Sequence, residues 1–580
     1  MKRIFNKHIT WILVLFLATT LNSCVKDDEV SITEANRYTS EDITSYAELF
    51  KVFWTVMNQR YNYFYEQKNN KDRMDWNAIY TEYYPKFAAL KSYNADGFTV
   101  EQIVTDARLA NQYFTDIIDP IIDRHFTFSY CLPNRLAGKY WLFFYYEGGM
   151  KTKNAFFYEF DDRFNYMKDL LGDNYIEGNY KDEKMGVNLI YQMGSLRTNP
   201  DIYYFTYNEF SLYLGTKINF SSNKYLNLDA GFNQSLLTAT EIENNSQLAA
   251  IKNEKLRKEL KDLTLNILNA YNSFIRSNEA EIKIFNKNVN AFKNTETEVV
   301  TTAFVDNAKK ILENFLLVPN YLDEKEYSTL RTKESDPYID WFIEQMNSYT
   351  NAYKFDTFIK DTKDFINKAP VYQNFFDPLH KGQIKKIIID LRGNGGGMVV
   401  DINYFTNRFV TKNTVWGYQR TKEGNGKFNY TPWVPIKTSP HQFNIPTNIP
   451  MTVLTDKRVL SMSEISTLIW KTQGAISIGD YSSGGTSGLT DNSDQFNGGS
   501  QDKIGFIDKD ENGNSLYKLS FYIPIMATKD VNGNVIEGIG IKPDIYVAPP
   551  SEEEVNQMKN TPKTHIDRTL KEAIKYLSSK

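Results

Sequence analysis

The sequence predicts an α/β fold with large helical portions, and three observations carry that prediction. "KKIIIDL", "MTVLT" and "AISIG" are short apolar runs bounded by turn residues, the pattern of fully buried strands. "VVDINYFTNRFV" and "MSEISTLIWKTQ" lie between them with helical spacing, so strands alternate with helices as in βαβ units around a mainly parallel sheet. Upstream, "YAELFKVFWTVMNQRYNYFY", "TVEQIVTDARLANQYFTDII" and "SQLAAIKNEKLRKELKDLTLNILNAYNSFI" carry apolar stripes of helical period.

At the N-terminus, "MKRIFNK" is a positive leader and "ITWILVLFLATT" an apolar run too short for a standard spanning helix. "LNSC" follows. Residues 1–24 are therefore expected to be a signal peptide, and Cys24 resembles the acylated cysteine of the bacterial lipoprotein box. "VKDDEV" resembles the acidic surface-export signal of lipoproteins from Bacteroidetes-type bacteria. The resemblance implies a chain held by its N-terminal lipid at the outer membrane of a Gram-negative cell envelope, with residues 25–40 as tether. Cys24 and Cys131 are the two cysteines, so acylation of the first leaves no internal disulfide. Cys131 reads as an idle core thiol.

After the tether, residues 41–134 are expected to form a helical N-terminal domain, with Asp75 as an N-cap. Residues 135–220 mix aromatic strands ("KYWLFFYY", "DIYYFTYNEFSLYL") with short helices and join the main sheet. Residues 221–370 read as a mainly helical insertion. Residues 371–580 are the α/β region proper.

Composition removes several functional classes. The net charge is −4, with no basic excess to hold a polyanion, so nucleic acid is not an expected partner. "DKDENG" begins like a calcium loop, but Leu519 stands where a bidentate Glu is needed. "GNGGG" lacks the Lys-Ser/Thr of a phosphate loop, and no HExxH or paired cysteine ligands occur. Neither a metal nor a cofactor is expected.

In open α/β sheets, sites form at the carboxyl ends of strands. The two Gly-rich loops, "RGNGGG" and "SSGGTSG", and the serine pair of "MTVLTDKRVLSMSE" all fall there. A serine at the turn into a helix is exposed as a nucleophile, with backbone N–H groups nearby to face an oxyanion. Ser461 and Ser463 are the candidates. The bland alternative is an N-cap, since "SMSE" with Glu464 is also a capping-box pattern.

Taken together, "IIIDLRGNGGG", "VLTDKRVLSMSEI", "AISIGDYSSGGTSG", "EGIGIKPDIYV" and "DRTLKEAIKYL" resemble, in order, the C-terminal processing (tail-specific) serine peptidases. "FWTVMNQRYNYF", "DWNAIYTEYYP" and "IIDRHFTF" look like the N-terminal helical part of lipoproteins of that family. The resemblance covers residues 45–135 and 380–580 and is poor between 220 and 335; no PDZ loop signature is found. It implies a ClpP/crotonase-like catalytic sheet, a peptide or protein substrate and a serine peptidase activity. By motif, Ser461 falls at the nucleophile, and the N–H of Met462 with those of Gly396 and Gly397 at the oxyanion hole.

One departure matters. The family's Ser–Lys dyad places a lysine in the loop that here reads "DYSSGGTSG", where Gly485 or Thr486 stands instead. The tricorn-like and interphotoreceptor-retinoid-binding-like branches also lack that lysine, and tricorn-type enzymes use histidine and glutamate. His125 in "DRHFTF" and Glu537 in "EGIGIKPD" are the matching candidates for base and acidic partner. Arg124 stands where tricorn-type sequences can have a second serine, and Asp123 is a candidate to position the loop. A structural histidine at a strand start and an ordinary hairpin glutamate are the plain alternatives. The rival for the whole chain is an inactive relative that binds a peptide or apolar ligand in the same cleft, and a third reading is a structural envelope lipoprotein.

Overall fold

The structure, a computed structural model, describes residues 38–69, 74–94, 96–136, 140–149, 156–226, 236–294, 298–487, 499–510, 512–524 and 526–580. The expected signal segment, its Cys24 and most of the tether lie outside the described residues. Among the described residues, no helix is long and apolar enough to cross a membrane.

The first strands, β1 (Thr127–Leu136) and β2 (Tyr140–Glu147), pair antiparallel. Three more follow: β3 (Ile176–Asp182), β4 (Val187–Ser195) and β5 (Ile202–Tyr207). A long helical stretch intervenes before β6 (Lys386–Asp390), β7 (Thr414–Thr421), β8 (Val434–Thr438), β9 (Met451–Thr455) and β10 (Ile476–Gly479). The last are β11 (Gly499–Lys509), β12 (Ser515–Pro524), β13 (Met526–Asp530) and β14 (Ile545–Tyr546).

The central sheet has seven strands in the order β14-β10-β9-β6-β5-β4-β3. From β14 to β5 the neighbours run parallel, and β5, β4 and β3 then turn antiparallel. β11-β12-β1-β2 form a separate four-stranded sheet and β13-β7-β8 a third. The expected ClpP/crotonase-like sheet is therefore corrected: the catalytic sheet is open, ending in the two-residue β14 on one side and an antiparallel hairpin on the other. Strand–helix alternation sets the parallel core but leaves the closure of its edges undetermined.

The parallel strands are buried on both faces, as β6 and β9 illustrate with almost no exposed position. One face, with Ile387, Ile389 and Val453, packs into a large core shared with the helices Glu254–Ser277, Glu279–Asn294, Thr302–Phe315, Asp336–Tyr353 and Phe355–Val371. The other, with Ile388, Leu454 and Ile478, is covered by the helices Phe160–Leu171 and Arg568–Ser578.

A second core joins the N-terminal helices to the four-stranded sheet. Tyr46–Arg60 starts at Ser45, whose hydroxyl accepts the Glu48 N–H, and Trp76–Ala89 at Asp75, which accepts two N–H groups. Thr99 and Gln102 form a reciprocal capping box on Val100–Ile118. Phe126, Phe128 and Tyr130 alternate inward at the entry to β1, and the Phe128 ring lies 4.7 Å from Phe53 and 5.0 Å from Phe114. This packing fixes where the chain just before β1 emerges, and that chain carries Asp123, Arg124 and His125.

The Asp-Leu-Arg of "DLRGNGGG" is a structural staple. The Arg392 guanidinium makes paired bonds to Asp390 (2.9 and 2.7 Å) and to Asp567 (3.0 and 2.7 Å). Asp567 in turn caps the last helix by accepting the Leu570 N–H at 3.1 Å. Arg163 adds an ion pair to Asp390 at 2.9 Å and Tyr204 a hydroxyl bond at 2.9 Å. Burial opposes the Asp390 charge, but Arg163 and Arg392 hold its carboxyl well below the ordinary range.

Two outcomes are expected. Arg392→Ala leaves the buried Asp567 without its cation and Asp390 with Arg163 alone, so denaturant unfolding should register a loss of about 3–5 kcal/mol, and a loss under about 1 kcal/mol contradicts the staple. Cys131 is fully buried and burial pushes its thiol to about 11. Mass spectrometry after alkylation should find Cys131 unmodified in the folded chain at neutral pH and modified once it is unfolded.

Candidate active site

Ser461 follows β9 and stands at the start of the helix Met462–Thr472 with φ +58° and ψ −121°. That backbone region is almost reserved for glycine and costs a serine about 1–3 kcal/mol. The constraint that holds it is Glu464, fully buried one turn on. One Glu464 oxygen accepts the N–H of Gly484 at 2.8 Å and the Ser482 hydroxyl. The other accepts Gly485 N–H at 2.7 Å and Ser461 N–H at 3.2 Å, and Ser461 N–H also reaches Gly485 O at 2.9 Å. The turn is thus stitched to the "SSGG" loop. The capping box expected from "SMSE" is present at this helix start, with the Glu464 carboxylate accepting the Ser461 N–H.

Ser463 differs. It is fully buried, and its hydroxyl donates to Asn394 O (3.0 Å) and Oδ1 (2.7 Å). It is a structural residue of the helix start.

Asn394 ties the glycine turn to that helix. Its Nδ2 donates to Tyr207 O at 2.9 Å, and its Oδ1 accepts the Gly396 N–H at 2.9 Å. The Gly396 N–H is therefore committed to the turn itself. Among the described residues, Met462 N–H and Gly397 N–H have no hydrogen-bond partner. The glycines are needed for closeness: a Cβ at 396 would stand 2.6 Å from Ser461 Cβ and 2.9 Å from Met462 N, at a backbone φ of +97°.

His125, Asp123 and Glu537 meet on the other side of the same loop. A nitrogen of His125 and one carboxylate oxygen each from Asp123 and Glu537 all lie within 4.8 Å of one another. Asp123 Oδ1 accepts the N–H groups of His125 (2.8 Å) and Phe126 (3.0 Å) and the Ser487 hydroxyl (3.3 Å). Glu537 Oε1 accepts Arg124 N–H at 2.7 Å, and Oε2 accepts Thr486 N–H (2.9 Å), Ser487 N–H (3.1 Å) and Tyr63 O–H (3.4 Å). Both carboxylates are fully buried. Asp123 Oδ2 and His125 Nδ1 are buried without a partner among the described residues.

Gly485 explains how the ring fits. A Cβ there would collide with Leu460 Cδ1, sit 2.8 Å from Arg124 Cβ and 3.4 Å from His125 Cε1. The carbonyl of the same glycine receives the Ser461 N–H, so one residue without a side chain separates the serine turn from the histidine. The position where the dyad peptidases carry lysine is filled in space by Arg124 and His125.

Electrostatics follow from burial. The His125 imidazole is pushed down to about 4, so it is neutral at physiological pH. Burial, and then the Asp123 charge, raises Glu537 well above the usual carboxyl range, and burial also raises Asp123 and Glu464. The Ser461 turn and the His125–Asp123–Glu537 cluster both border Gly485, whose carbonyl accepts the Ser461 N–H and whose α-carbon faces the His125 ring.

The remaining described histidines serve elsewhere. His380 Nδ1 bonds Asn444 O at 2.9 Å, His441 Nδ1 accepts Phe443 N–H at 3.0 Å, and His565 lies between the rings of Tyr158 and Tyr166. Three contributors escape a reading of the sequence alone. Asn394 hides in a glycine turn, Tyr63 in a helical aromatic run, and Glu464 looks like a local cap although its main partners lie some twenty residues on.

Residues 349–547 match the model of peptidase family S41. No curated protein sequence matches the chain. Among solved structures, one described as a candidate peptidase from Parabacteroides merdae is similar at 14% identity and TM-score 0.43, covering 92% of this chain and 97% of that one. A lipoprotein from Streptococcus agalactiae is similar at 11% identity and TM-score 0.31, over 93% and 97% of the two chains. The photosystem II D1 C-terminal processing protease is similar at 16% identity and TM-score 0.21, over 33% and 42%. The assignment rests on the family match, which also replaces the ClpP/crotonase-like description of the sheet. That match gives residues 349–547 as a serine-type peptidase region similar to family S41.

Proposed function

We propose that the chain is a lipid-anchored peptidase of the cell envelope in which Ser461 is the nucleophile and His125 the general base. The observation that carries this reading is the Ser461 turn: a serine held in a strained backbone at the start of a helix, separated from the histidine loop by the side-chain-less Gly485. Strain of this kind persists only where surrounding structure enforces it, and here three backbone bonds to Glu464 do so.

Ser461 Oγ attacks the scissile carbonyl as neutral His125 accepts its proton, and the imidazolium returns that proton to the leaving amine. The Met462 and Gly397 N–H groups face the tetrahedral oxyanion, and Gly396 acts through the turn rather than as a donor. One such donor is typically worth about a hundredfold to a thousandfold in turnover. Glu537, with Asp123, orients the ring and its loop. Water then attacks the acyl-enzyme by the same route. Acylated Cys24 anchors the chain through "LNSC", and residues 41–134, 135–220, 221–370 and 371–580 serve as helical base, sheet extension, helical cover and catalytic region.

A fluorophosphonate probe tests the centre. Wild type should be labelled, Ser461→Ala should not, and His125→Ala should react about a hundredfold to ten-thousandfold more slowly. Labelling of Ser461→Ala at the wild-type rate overturns the nucleophile, and folded wild type that never labels points to the ligand-binding rival.

The pH dependence has a defined sign. Protonating His125 removes the base, so labelling should stay level from neutrality downward and fall only as pH drops through about 4. A fall centred at or above the ordinary imidazole value of about 6.5 rules out the buried ring as base.

For the anchor, Cys24→Ala in a producing cell should abolish metabolic palmitate incorporation and release the chain from the membrane fraction. Retained incorporation contradicts acylation there.

A further inference from the structure

We propose that Asp123, His125 and Glu537 form a binding site for a zinc ion, and that zinc occupying it switches the peptidase off. The metal site stands on its own geometry, whereas the switching rests on the Ser461–His125 reading above.

Three ligand-bearing groups of two kinds converge here, with their donor atoms mutually within 4.8 Å; tetrahedral bonds of about 2.0–2.2 Å set donors about 3.3–3.6 Å apart, so binding draws a pair at that limit together by about 1 Å. Two of those groups hold their donors ready. Asp123 is fully buried with Oδ1 engaged by two backbone N–H groups, which leaves Oδ2 without a partner; His125 Nδ1 is likewise buried and unpartnered. Orphaned buried acceptors of this kind need a proton, a water or a cation. The Thr486 hydroxyl, whose N–H bonds Glu537, is a third buried polar atom without a partner at the same place.

The backbone holds the ligands in advance. Arg124, Thr486 and Ser487 N–H groups fix the Glu537 carboxylate, and the His125 and Phe126 N–H groups fix Asp123, so the supporting shell that orients metal ligands already exists. One imidazole nitrogen with two carboxylate oxygens selects a borderline ion such as zinc over calcium or magnesium, which prefer all-oxygen shells. Three protein ligands leave a fourth position for water.

The consequence for catalysis follows from the ring tautomer. Once Nδ1 donates its lone pair to the metal, the proton of the neutral ring resides on Nε2. That nitrogen is then a donor, and the acceptor that Ser461 needs is gone. No bond is broken and no electron is transferred; removal of the ion restores the base.

The test is calorimetric titration of zinc into the metal-stripped full-length protein, its Ser461→Ala variant and Asp123→Asn. Asn keeps Oδ1 for the backbone and replaces only the free oxygen. Wild type and Ser461→Ala should bind one zinc with equal affinity, and Asp123→Asn should bind at least tenfold more weakly. Absence of one-to-one binding in the wild type, or unchanged affinity in Asp123→Asn, overturns the site.

Should Asp123→Asn fail to fold, protection of wild-type His125 from diethyl pyrocarbonate by stoichiometric zinc, read by peptide mass, decides instead; an unprotected His125 overturns the site. Fluorophosphonate labelling with zinc and with excess chelator reads the switch. Labelling suppressed at least tenfold by zinc and restored by chelator supports it, and labelling indifferent to bound zinc overturns it. Because Ser461→Ala retains binding in this scheme, failure of the nucleophile assignment and failure of the metal site give different results.

Discussion

Three buried carboxylates hold the candidate site together by bonding backbone rather than basic side chains. Glu464 gathers the N–H groups of Ser461, Gly484 and Gly485. Glu537 gathers those of Arg124, Thr486 and Ser487, and Asp123 those of His125 and Phe126. Glu464 and Glu537 thereby satisfy donors of the glycine loop and join segments remote in sequence, while Asp123 closes its own turn and reaches the loop through the Ser487 hydroxyl. The cost is desolvation, visible as a raised pKa for all three. The result is a serine turn, a glycine loop and a histidine loop that cannot shift independently.

Space is the second constraint. The "SSGG" loop and the "EGIG" segment stack so closely that a Cβ on Gly484 would stand 2.7–2.9 Å from the N atoms of Gly538, Ile539 and Gly540. Gly540 would in turn collide with Ser482 O, and Gly485 with Leu460. Absence of side chains here is what lets Arg124 and His125 enter from the N-terminal core. The chain just before β1 fills that room, and the aromatic core of the N-terminal helices and the four-stranded sheet sets the position of residues 123–125.

Much of this was legible in the sequence, for identifiable reasons. The parallel strands β6, β9 and β10 announce themselves because burial on both faces demands continuous apolar runs. The serine pair and both glycine loops fall at their carboxyl ends because the fold puts sites there. "SMSE" reveals Glu464 as a local cap, but its bonds to Gly484 and Gly485 depend on loop docking that no local pattern encodes. The family motif already put Ser461 at the nucleophile position, and what the sequence could not show is that Asn394 captures the Ser463 hydroxyl. The ClpP/crotonase-like sheet failed because edge strands are decided by long-range pairing: β5, with β4 and β3 behind it, joins β6 across the long helical stretch that separates them in sequence.

The central claim is that an imidazole from the N-terminal region serves the serine beyond β9. A crystal structure of the chain phosphonylated at Ser461 measures this directly. The account predicts a His125 ring nitrogen about 2.6–3.2 Å from Ser461 Oγ or from the phosphonate oxygen bound to it. A ring that stays more than about 5 Å away, with another side chain in its place, contradicts it.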